Sequence, residues 1–488
     1  MKKYTLSFLA IVILSSFSFS VFAKITLPKV FTDNMVLQQK TEAPLWGKAS
    51  PGKTVTIVTS WDKKSYTTTT AGNGDWQAKV TTPEAGGPYE ISFSDGKKLT
   101  LNNILIGEVW ICSGQSNMEM PLAGWGMVND YKNEIANADY PQIRLLHVEQ
   151  ATSNLPIDDL KETRAGWRVC SPETIADFSS VAYFFGRDLY KNLNVPIGLI
   201  STSWGGTIAE AWTSGAALEE MPYFKDAVND IRRVSAEKVT VDLKAPQQVK
   251  ENPNRPTVLY NAMIHPIVPY AIQGAIWYQG ESNSDRAYQY RELFPLMIRD
   301  WRKQWNKNFP FYFVQLANFM AKNNSPEESQ WAELREAQLQ TLNLENTGMA
   351  VTIDIGDAED IHPKNKQDVG LRLALNAQAK TYGMNITYSG PIFDSYRIEG
   401  NKIRIHFEQT GSGLRSKNNA TLKGFAIAGP DHKFYWADAE IEGNDVIVSS
   451  PNVNFPTAVR YAWANNPECN LYNVEGLPAS PFRTDDWR

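Results

Sequence analysis

Alternating apolar and polar positions characterise the part of the chain that begins at residue 24. Short alternating runs at 54–58 and 89–93 are separated by turn residues, such as the Gly-Asn-Gly-Asp sequence at 72–75. Alternation with a period of two places successive side chains on opposite faces of a strand. Short strands at this spacing predict a β-sandwich-like domain over residues 24–103.

From residue 104 to about 384, apolar runs alternate with amphipathic stretches. The strands are predicted at 104–112, 197–202, 274–278, 311–315 and 349–353, and the helices at 182–192, 286–304, 331–342 and 366–379. This β-α-β order predicts an α/β fold, a mostly parallel sheet covered by helices on both faces. Strand patterns return at 402–407, 424–427, 445–448 and 459–463 and predict a second β domain over 385–488, whereas the polar segment 239–256 predicts an exposed loop.

The chain begins with a pattern typical of a cleavable signal peptide. Lys2 and Lys3 precede an apolar run at 6–14, and small residues lead to Val-Phe-Ala at 21–23. The apolar run is too short to span a bilayer. We therefore expect residues 1–23 to be removed and the mature chain, from Lys24, to be periplasmic or extracellular. Nothing later in the sequence predicts membrane insertion.

Charge and cysteine content narrow the functional classes. The formal charge of −5 becomes more negative when the two lysines are removed, which argues against a nucleic-acid partner. Three cysteines (Cys112, Cys170 and Cys469) cannot form a disulfide framework, and their redox state stays open. Five histidines without HxxxH or CxxC spacing give no metal site. The sequence calls for no cofactor and does not predict an oligomeric state.

Ligands of open parallel sheets bind outside the carboxyl ends of the strands, so reactive residues at those ends are the candidates. Ser116 lies in Gly-Gln-Ser-Asn-Met after the 104–112 strand, where its hydroxyl would point into the crevice. The sequence is not G-x-S-x-G, which disfavours an α/β-hydrolase elbow. Ser116 and Glu119 also have the spacing of a capping box, a purely structural alternative.

Two further clusters follow strands. In Ser-Trp-Gly-Gly-Thr at 203–207, the paired glycines allow backbone N–H groups to approach a substrate, although an ordinary turn would have the same composition. In Trp-Tyr-Gln-Gly-Glu-Ser-Asn at 277–283, Gln279 could donate to an oxyanion and Glu281 could orient a base. The alternative is a polar loop above a buried aromatic strand.

His362 is the favoured general base. It follows the 349–353 strand, and four acids lie within the eight residues before it. His265 precedes the 274–278 strand, so it should lie near the amino end of that strand and away from the crevice.

These clusters, in this order, resemble the sialate O-acetylesterase and carbohydrate acetylesterase group of the SGNH hydrolases. The resemblance extends over nearly the whole mature chain and includes Asp-Asn-Met-Val-Leu-Gln at 33–38, Asn-Ala-Met-Ile-His-Pro at 261–266 and Ile-His-Pro at 361–363. It implies an SGNH-type three-layer hydrolase domain and a serine esterase that acts on O-acetylated carbohydrates, with O-acetylated sialic acid as the expected substrate and acetylated xylan or xyloglucan as the alternative.

The resemblance also implies residue roles. Ser116 matches the nucleophile and His362 the base, while the N–H groups of Ser116 and Gly206 match oxyanion donors, with Gln279 where many SGNH enzymes place Asn. The broader pattern has Asp three residues before the histidine. Here that position is Glu359, and Asp360 is two before. The third acid of the triad is therefore Asp360, Glu281 or Glu359.

The sugar is less well defined by the sequence. A sialic acid carboxylate would require an arginine, for which Arg335 and Arg286 are candidates, although both could be ordinary helix-surface charges. A neutral acetylated xylan or xyloglucan would favour exposed aromatic rings such as Trp204 or Tyr278.

Two other classes of protein fit the sequence less well. A non-catalytic carbohydrate-binding protein would not need reactive residues at successive strand ends. A lipase or thioesterase would need a wide apolar channel, which these polar loops do not predict.

Overall fold

A computed structural model describes residues 24–239 and 252–487 of the chain. The expected signal peptide, residues 1–23, lies outside the described residues, as does most of the predicted loop at 239–256. Among the described residues, no helix has both the length and the apolar character needed to cross a membrane.

The centre of the molecule is a large, mostly parallel sheet. Its strands have the spatial order β13-β12-β11-β7-β10-β8-β9, and only β9 runs antiparallel to its neighbour. The strands are β7 (Lys98–Gly114), β8 (Tyr140–Val148), β9 (Thr163–Cys170), β10 (Ile197–Ser203), β11 (Gly274–Tyr278), β12 (Phe311–Gln315) and β13 (Thr347–Val351).

Continuous apolar sequence accounts for these strands. Every residue of β10, β11, β12 and β13 is buried, as expected for parallel strands covered on both faces. The helices among the described residues are α1 (Ser116–Glu119), α2 (Tyr131–Ala136), α3 (Ser180–Leu193), α4 (Gly215–Leu218), α5 (Lys225–Val239), α6 (Ala287–Gln304), α7 (Gln330–Gln340) and α8 (Lys366–Lys380). The prediction of an α/β fold with additional antiparallel sheets is confirmed.

Short 3₁₀ and π turns connect these elements. The 3₁₀ segments described are Ala209–Trp212, Pro222–Phe224, His265–Ile267, Glu281–Arg286, Thr341–Asn343 and Lys417–Asn419, and Tyr260–Ile264 is a π turn.

The amino-terminal strands attach to the central sheet through β7. The first nine residues of β7, from Lys98 to Ile106, pair antiparallel with β6, and the remainder pairs with β10 and β11. One strand therefore crosses the predicted domain boundary at residue 103 without a break. The strands before it are β1 (Val36–Gln38), β2 (Glu42–Lys48), β3 (Thr54–Thr59), β4 (Ser65–Thr69), β5 (Asp75–Thr81) and β6 (Gly86–Ser94).

Antiparallel strands form the carboxyl-terminal region, which has a hydrophobic cluster of its own, from Ile403 to Phe482. The amino-terminal strands and the central sheet instead share one continuous cluster, from Ile25 to Ala377. The carboxyl-terminal strands are β14 (Ile392–Glu399), β15 (Lys402–Glu408), β16 (Leu414–Ser416), β17 (Phe425–Ala428), β18 (Phe434–Trp436), β19 (Asp438–Glu442), β20 (Asp445–Ser449), β21 (Ala458–Tyr461), β22 (Leu471–Asn473) and β23 (Phe482–Arg483).

Arg335 joins the carboxyl-terminal region to the central sheet. It lies in α7 and is 0% exposed, and its guanidinium donates to the carbonyls of Leu316 and Ala317 on one side and of Ala464 and Asn465 on the other, at 2.7–2.9 Å. Burial lowers its pKa to about 9. The suggestion that Arg335 binds a substrate carboxylate is therefore wrong, because its donors face backbone carbonyls and no part of it reaches solvent.

Replacing Arg335 should destabilise the fold. Arg335→Met leaves buried carbonyls on both sides without donors, and we expect the free energy of unfolding to fall by about 3 kcal/mol or more. Urea denaturation followed by circular dichroism measures this loss. Arg299→Met, at an exposed position of α6, is the matched control and should change stability by less than about 0.5 kcal/mol. Equal stabilities of the two variants would contradict this interpretation of Arg335.

Candidate active site

The loop that carries Ser116 is attached to the ends of both neighbouring strands. The N–H of Gln115 donates to the carbonyl of Tyr278 at the end of β11 (3.0 Å), and the N–H of Trp204 after β10 donates to the carbonyl of Gly114 at the end of β7 (3.1 Å). Three of the four predicted clusters therefore meet at the carboxyl edge of the sheet. Ser116 is partly exposed there.

Gly205, the first of the two glycines after Trp204, lies against Ser116. A Cβ on Gly205 would be 3.1 Å from Cβ of Ser116, so a side chain at position 205 would crowd the serine. Gly206 has a φ of +72° with open space where a Cβ would project, and its carbonyl accepts from Asn254 Nδ2 at 2.9 Å. Within the described residues, no hydrogen bond uses the N–H of Ser116 or of Gly206. Both donors are available to a ligand.

Glu119 holds this glycine loop in place. Its carboxylate accepts the N–H of Gly205 at 2.6 Å and the side-chain amide of Gln150 at 3.0 Å. Ser116 is the first residue of α1 and not its N-cap, and the N–H of Glu119 donates to the carbonyl of Gln115 at 2.9 Å. Ser116 and Glu119 therefore do not form the capping box that their spacing allows. Burial raises the pKa of Glu119.

Asn117 connects the serine loop to the histidine loop. Its Nδ2 donates to the carbonyl of Ile361, the residue before His362, at 2.9 Å, and Asn117 itself is 1% exposed. The fourth predicted cluster thus contacts the first through neighbours of Ser116 and His362. No hydrogen bond joins Ser116 Oγ directly to His362 among the described residues.

Of the three candidate acids, Asp360 lies beside His362. Its Oδ1 is 3.6 Å from His362 Nδ1, longer than a hydrogen bond, and accepts the backbone N–H of His362 at 2.8 Å. Glu359 is exposed, and its backbone N–H donates to Asp357. Glu281 contacts Asn117 instead, through Oε1 at 2.6 Å from Nδ2. This geometry favours Asp360 as the partner of the imidazole.

The imidazole of His362 lies edge to face with the ring of Trp125, at 5.4 Å between centroids. Burial is the main cause that lowers the pKa of His362, and the nearby positive charge of Lys366 lowers it further, while Asp360 raises it. A lowered pKa favours the neutral imidazole, the form that accepts a proton as a general base.

A buried charged cluster lies behind Asn117. Lys366 is 0% exposed, and its Nζ donates to Asn117 Oδ1 at 2.6 Å. The other carboxylate oxygen of Glu281, Oε2, is buried without a hydrogen-bond partner among the described residues. Burial raises the pKa of Glu281 and lowers that of Lys366 to about 7.

Gln279 does not point its amide at Ser116. It is 0% exposed, its Nε2 donates to the Thr207 carbonyl (3.1 Å) and to Asn283 Oδ1 (2.7 Å), and its Oε1 accepts from the hydroxyl of Tyr290 (2.9 Å). Both amide hydrogens are therefore used within the protein. The geometry corrects the expectation that Gln279 donates to an oxyanion and gives it a structural role below the glycine loop.

The other predicted substrate contacts have mixed outcomes. Tyr278 is 1% exposed in β11, so the idea that its ring stacks on a sugar is wrong. Arg286 donates to Glu210 at 2.7 Å and to Gln289 at 2.8 Å. Trp204 is partly exposed beside Gly205 and can contact a ligand. His265 lines a separate cavity of about 550 Å³ bordered by amino-terminal residues such as Trp46.

A cleft of about 430 Å³ adjoins the site. Glu119 and Trp125 are among its lining residues, whereas Ser116 and His362 are not. Trp125 contacts the His362 ring, and Glu119 accepts the N–H of Gly205 beside Ser116. The remaining charged and titratable lining residues are His147, Glu149, Arg164 and Asp177. Arg164 donates to Glu149 at 2.9 Å and to Asp177 at 3.0 Å. The described residues contain no cluster of three or more His, Cys, Asp or Glu side chains placed to hold a metal ion.

Sequence reasoning missed four residues of this site. Asn117 and Glu119 lie inside the Ser116 motif, but their partners are more than 80 positions away in the chain. Trp125, between two glycines, was a detectable signal for an exposed aromatic ring. Lys366 appears in the sequence as an ordinary first residue of a helix, and nothing local shows that it is buried.

Comparison with known proteins assigns the chain to a family. Residues 106–245 and 247–379 match the family described as carbohydrate esterase, sialic acid-specific acetylesterase. The mouse sialate O-acetylesterase is 32% identical, over 93% of both chains, and the human sialate O-acetylesterase is 31% identical, over 92% of this chain and 90% of the relative. A crystal structure of a carbohydrate acetylesterase from Xanthomonas citri superposes with a TM-score of 0.85 at 39% identity, over 95% of this chain and all of that one.

Both the family match and the full-length relatives agree with the resemblance predicted from the motifs. The chain belongs to the carbohydrate esterase family of sialic acid-specific acetylesterases.

Proposed function

We propose that this protein removes acetyl groups from carbohydrates with Ser116 as the nucleophile and His362 as the general base. As a member of its family the protein is a carboxylic-ester hydrolase. The observation that carries the residue assignment is the Asn117–Ile361 hydrogen bond, which holds the two loops together beside the unused N–H groups of Ser116 and Gly206.

The reaction follows the two-step course of serine esterases. His362 takes the hydroxyl proton of Ser116 as the oxygen attacks the acetyl carbonyl, and the N–H groups of Ser116 and Gly206 stabilise the tetrahedral oxyanion. Collapse of this intermediate breaks the bond to the sugar oxygen, which takes the proton from His362. Water, activated by the same imidazole, then hydrolyses the acetyl-serine and releases acetate.

Asp360 is the acid that we assign to His362. It is the carboxylate nearest to Nδ1, and a small rotation would shorten their 3.6 Å separation to a hydrogen bond. A carboxylate in this position orients the imidazole and stabilises the imidazolium that forms during the reaction.

The sugar occupies the cleft beside Trp125 in this proposal. The names of the mammalian relatives support O-acetylated sialic acid as the substrate. The charge of the cleft supports a second candidate, a neutral acetylated xylan or xyloglucan oligosaccharide. Three carboxylates line the cleft against one arginine, and that arginine is already paired with two of them. Such a surface accepts hydrogen bonds from hydroxyl groups and repels a substrate carboxylate.

Export remains part of the proposal. The basic, apolar and small-residue pattern of residues 1–23 supports cleavage before Lys24 and a periplasmic or extracellular location. Amino-terminal sequencing of the protein recovered from the producing cells tests this directly.

Removing the nucleophile should abolish turnover without affecting the fold. Ser116→Ala is expected to lower acetate release from 4-nitrophenyl acetate by about 10⁴-fold or more, because the covalent step is lost. Ser113→Ala is the matched control, since the Ser113 hydroxyl is buried without a hydrogen-bond partner in the described part of the chain and its removal should leave activity within about twofold. Substantial activity in Ser116→Ala would rule out the assigned nucleophile.

Replacing each carboxylate by its amide distinguishes Asp360 from Glu359 as the partner of His362. We expect Asp360→Asn to reduce kcat/KM by about 10²-fold or more, because the amide no longer stabilises the imidazolium. Glu359→Gln changes the exposed neighbour and should leave kcat/KM within about twofold. The same ester assay measures both variants, and a larger loss for Glu359→Gln would reverse the assignment.

The substrate candidates can be compared in one assay. Acetate release is measured at equal acetyl concentration from 9-O-acetyl sialic acid and from acetylated xylan and xyloglucan oligosaccharides. The cleft charge predicts that a neutral oligosaccharide has the higher kcat/KM. A higher value for the sialic acid would favour the first candidate, and no release from any of the three would contradict the proposed function itself.

A further inference from the structure

Lys366 is a buried lysine in contact with Asn117, the residue that follows the candidate nucleophile. It is the first residue of α8 and has no exposed surface, and its Nζ donates to Asn117 Oδ1 at 2.6 Å. The same ammonium lies 5.4 Å from the centre of the Tyr278 ring. Burying an ammonium costs free energy unless other groups compensate its charge. The groups that do so here are the Tyr278 ring and the carboxylates of Glu281 and Asp360.

The contact with Lys366 fixes the orientation of the Asn117 amide. An ammonium can only donate, so the amide must present its oxygen to Lys366 and its nitrogen to the opposite side. That nitrogen donates to the Ile361 carbonyl at 2.9 Å and to Glu281 Oε1 at 2.6 Å. If the amide turned over, its oxygen would face two acceptors and both bonds would be lost.

We propose that Lys366 is a positioning residue for the esterase reaction: its ammonium holds the Asn117 amide that joins the His362 loop to the Ser116 loop, and its charge acts on the imidazole of His362. This inference rests on the proposed function, in which His362 must accept a proton. Lys366 does not touch the reacting atoms. It acts through Asn117 and through the electric field at the imidazole.

The effect of Lys366 on His362 depends on the charged groups that surround the imidazole. The charges that act on His362 are Asp360, which favours the imidazolium, and Lys366, which opposes it, and the packed Trp125 ring carries no charge. Lys366 has a pKa of about 7, lowered by burial, so it is charged below that pH. The pKa of His362 is lowered from 6.5 by burial and by this charge, so Lys366 is positive over the pH range in which His362 titrates.

These charges determine the direction in which the pKa of His362 should change when Lys366 is replaced. Removing the positive charge of Lys366 removes a repulsion that acts on the imidazolium, so the pKa of His362 rises. As the pH falls, activity that requires the neutral imidazole is then lost at a higher pH than in the unmodified protein. The acidic limb of the kcat/KM profile therefore moves to higher pH. A side chain that merely filled space would change stability and turnover without moving this limb.

Two variants test the proposal, with a control two residues away. Lys366→Met keeps the volume and removes the charge. Lys366→Met with Glu281→Gln also removes the nearby carboxylate whose negative charge Lys366 offsets, which protects the fold. Lys364→Met removes an exposed lysine of the same loop. For each variant, kcat/KM on 4-nitrophenyl acetate is measured against pH, and the His362 imidazole is titrated by NMR in the intact protein.

The expected result is an upward shift of about 0.5 pH unit or more in both the kinetic limb and the NMR titration, in both Lys366 variants, with kcat reduced by about tenfold or more at the optimum. The control should superimpose on the unmodified protein. An unmoved titration in either Lys366 variant would overturn the proposal, even if turnover fell. The NMR titration does not depend on ester hydrolysis, so failure of the proposed function and failure of this inference are distinguishable.

Discussion

The hydrogen bond from Asn117 to the Ile361 carbonyl is the contact on which the rest of the site depends. It joins two loops that are separated by 244 positions along the chain. Each loop follows a different strand of the parallel sheet, and β11 and β12 lie between those strands. The bond fixes the backbone carbonyl before His362 to the side chain that follows Ser116. Lys366 and Glu281 complete the polar environment of the same amide.

The fold supplies this contact by bringing strand ends to one edge. β7 is fixed on one side by β10 and on the other by β11, and its amino-terminal half is fixed by β6. Ser116 therefore follows a strand that is paired on both sides. The glycine loop lies beside it and is held by Glu119 through the N–H of Gly205, and the N–H groups of Ser116 and Gly206 have no hydrogen-bond partner among residues 24–239 and 252–487. Preorganised donors of this kind stabilise a developing oxyanion without reorganisation during the reaction.

Local sequence pattern was enough to predict the elements and the edge at which the site lies. The 274–278 and 311–315 strands coincide with β11 and β12, because uninterrupted apolar runs bounded by polar residues are characteristic of buried parallel strands. Arg335, Tyr278 and Gln279 were misjudged for one shared reason. The polar atoms of Arg335 and Gln279 bond to distant segments, and the Tyr278 ring is buried against Lys366, and such contacts cannot be deduced from neighbouring residues. Lys366 was overlooked for the same reason, since only the assembled fold buries it.

The central claim, that His362 activates Ser116, is tested most directly by covalent labelling. The protein is treated with diethyl 4-nitrophenyl phosphate, which phosphorylates activated serines, and the modified peptide is identified by mass spectrometry. We predict a single adduct on Ser116, formed at least about 10²-fold more slowly in His362→Ala because the hydroxyl has lost its base. An adduct on a different serine, or an unchanged rate of Ser116 modification in His362→Ala, would contradict the account.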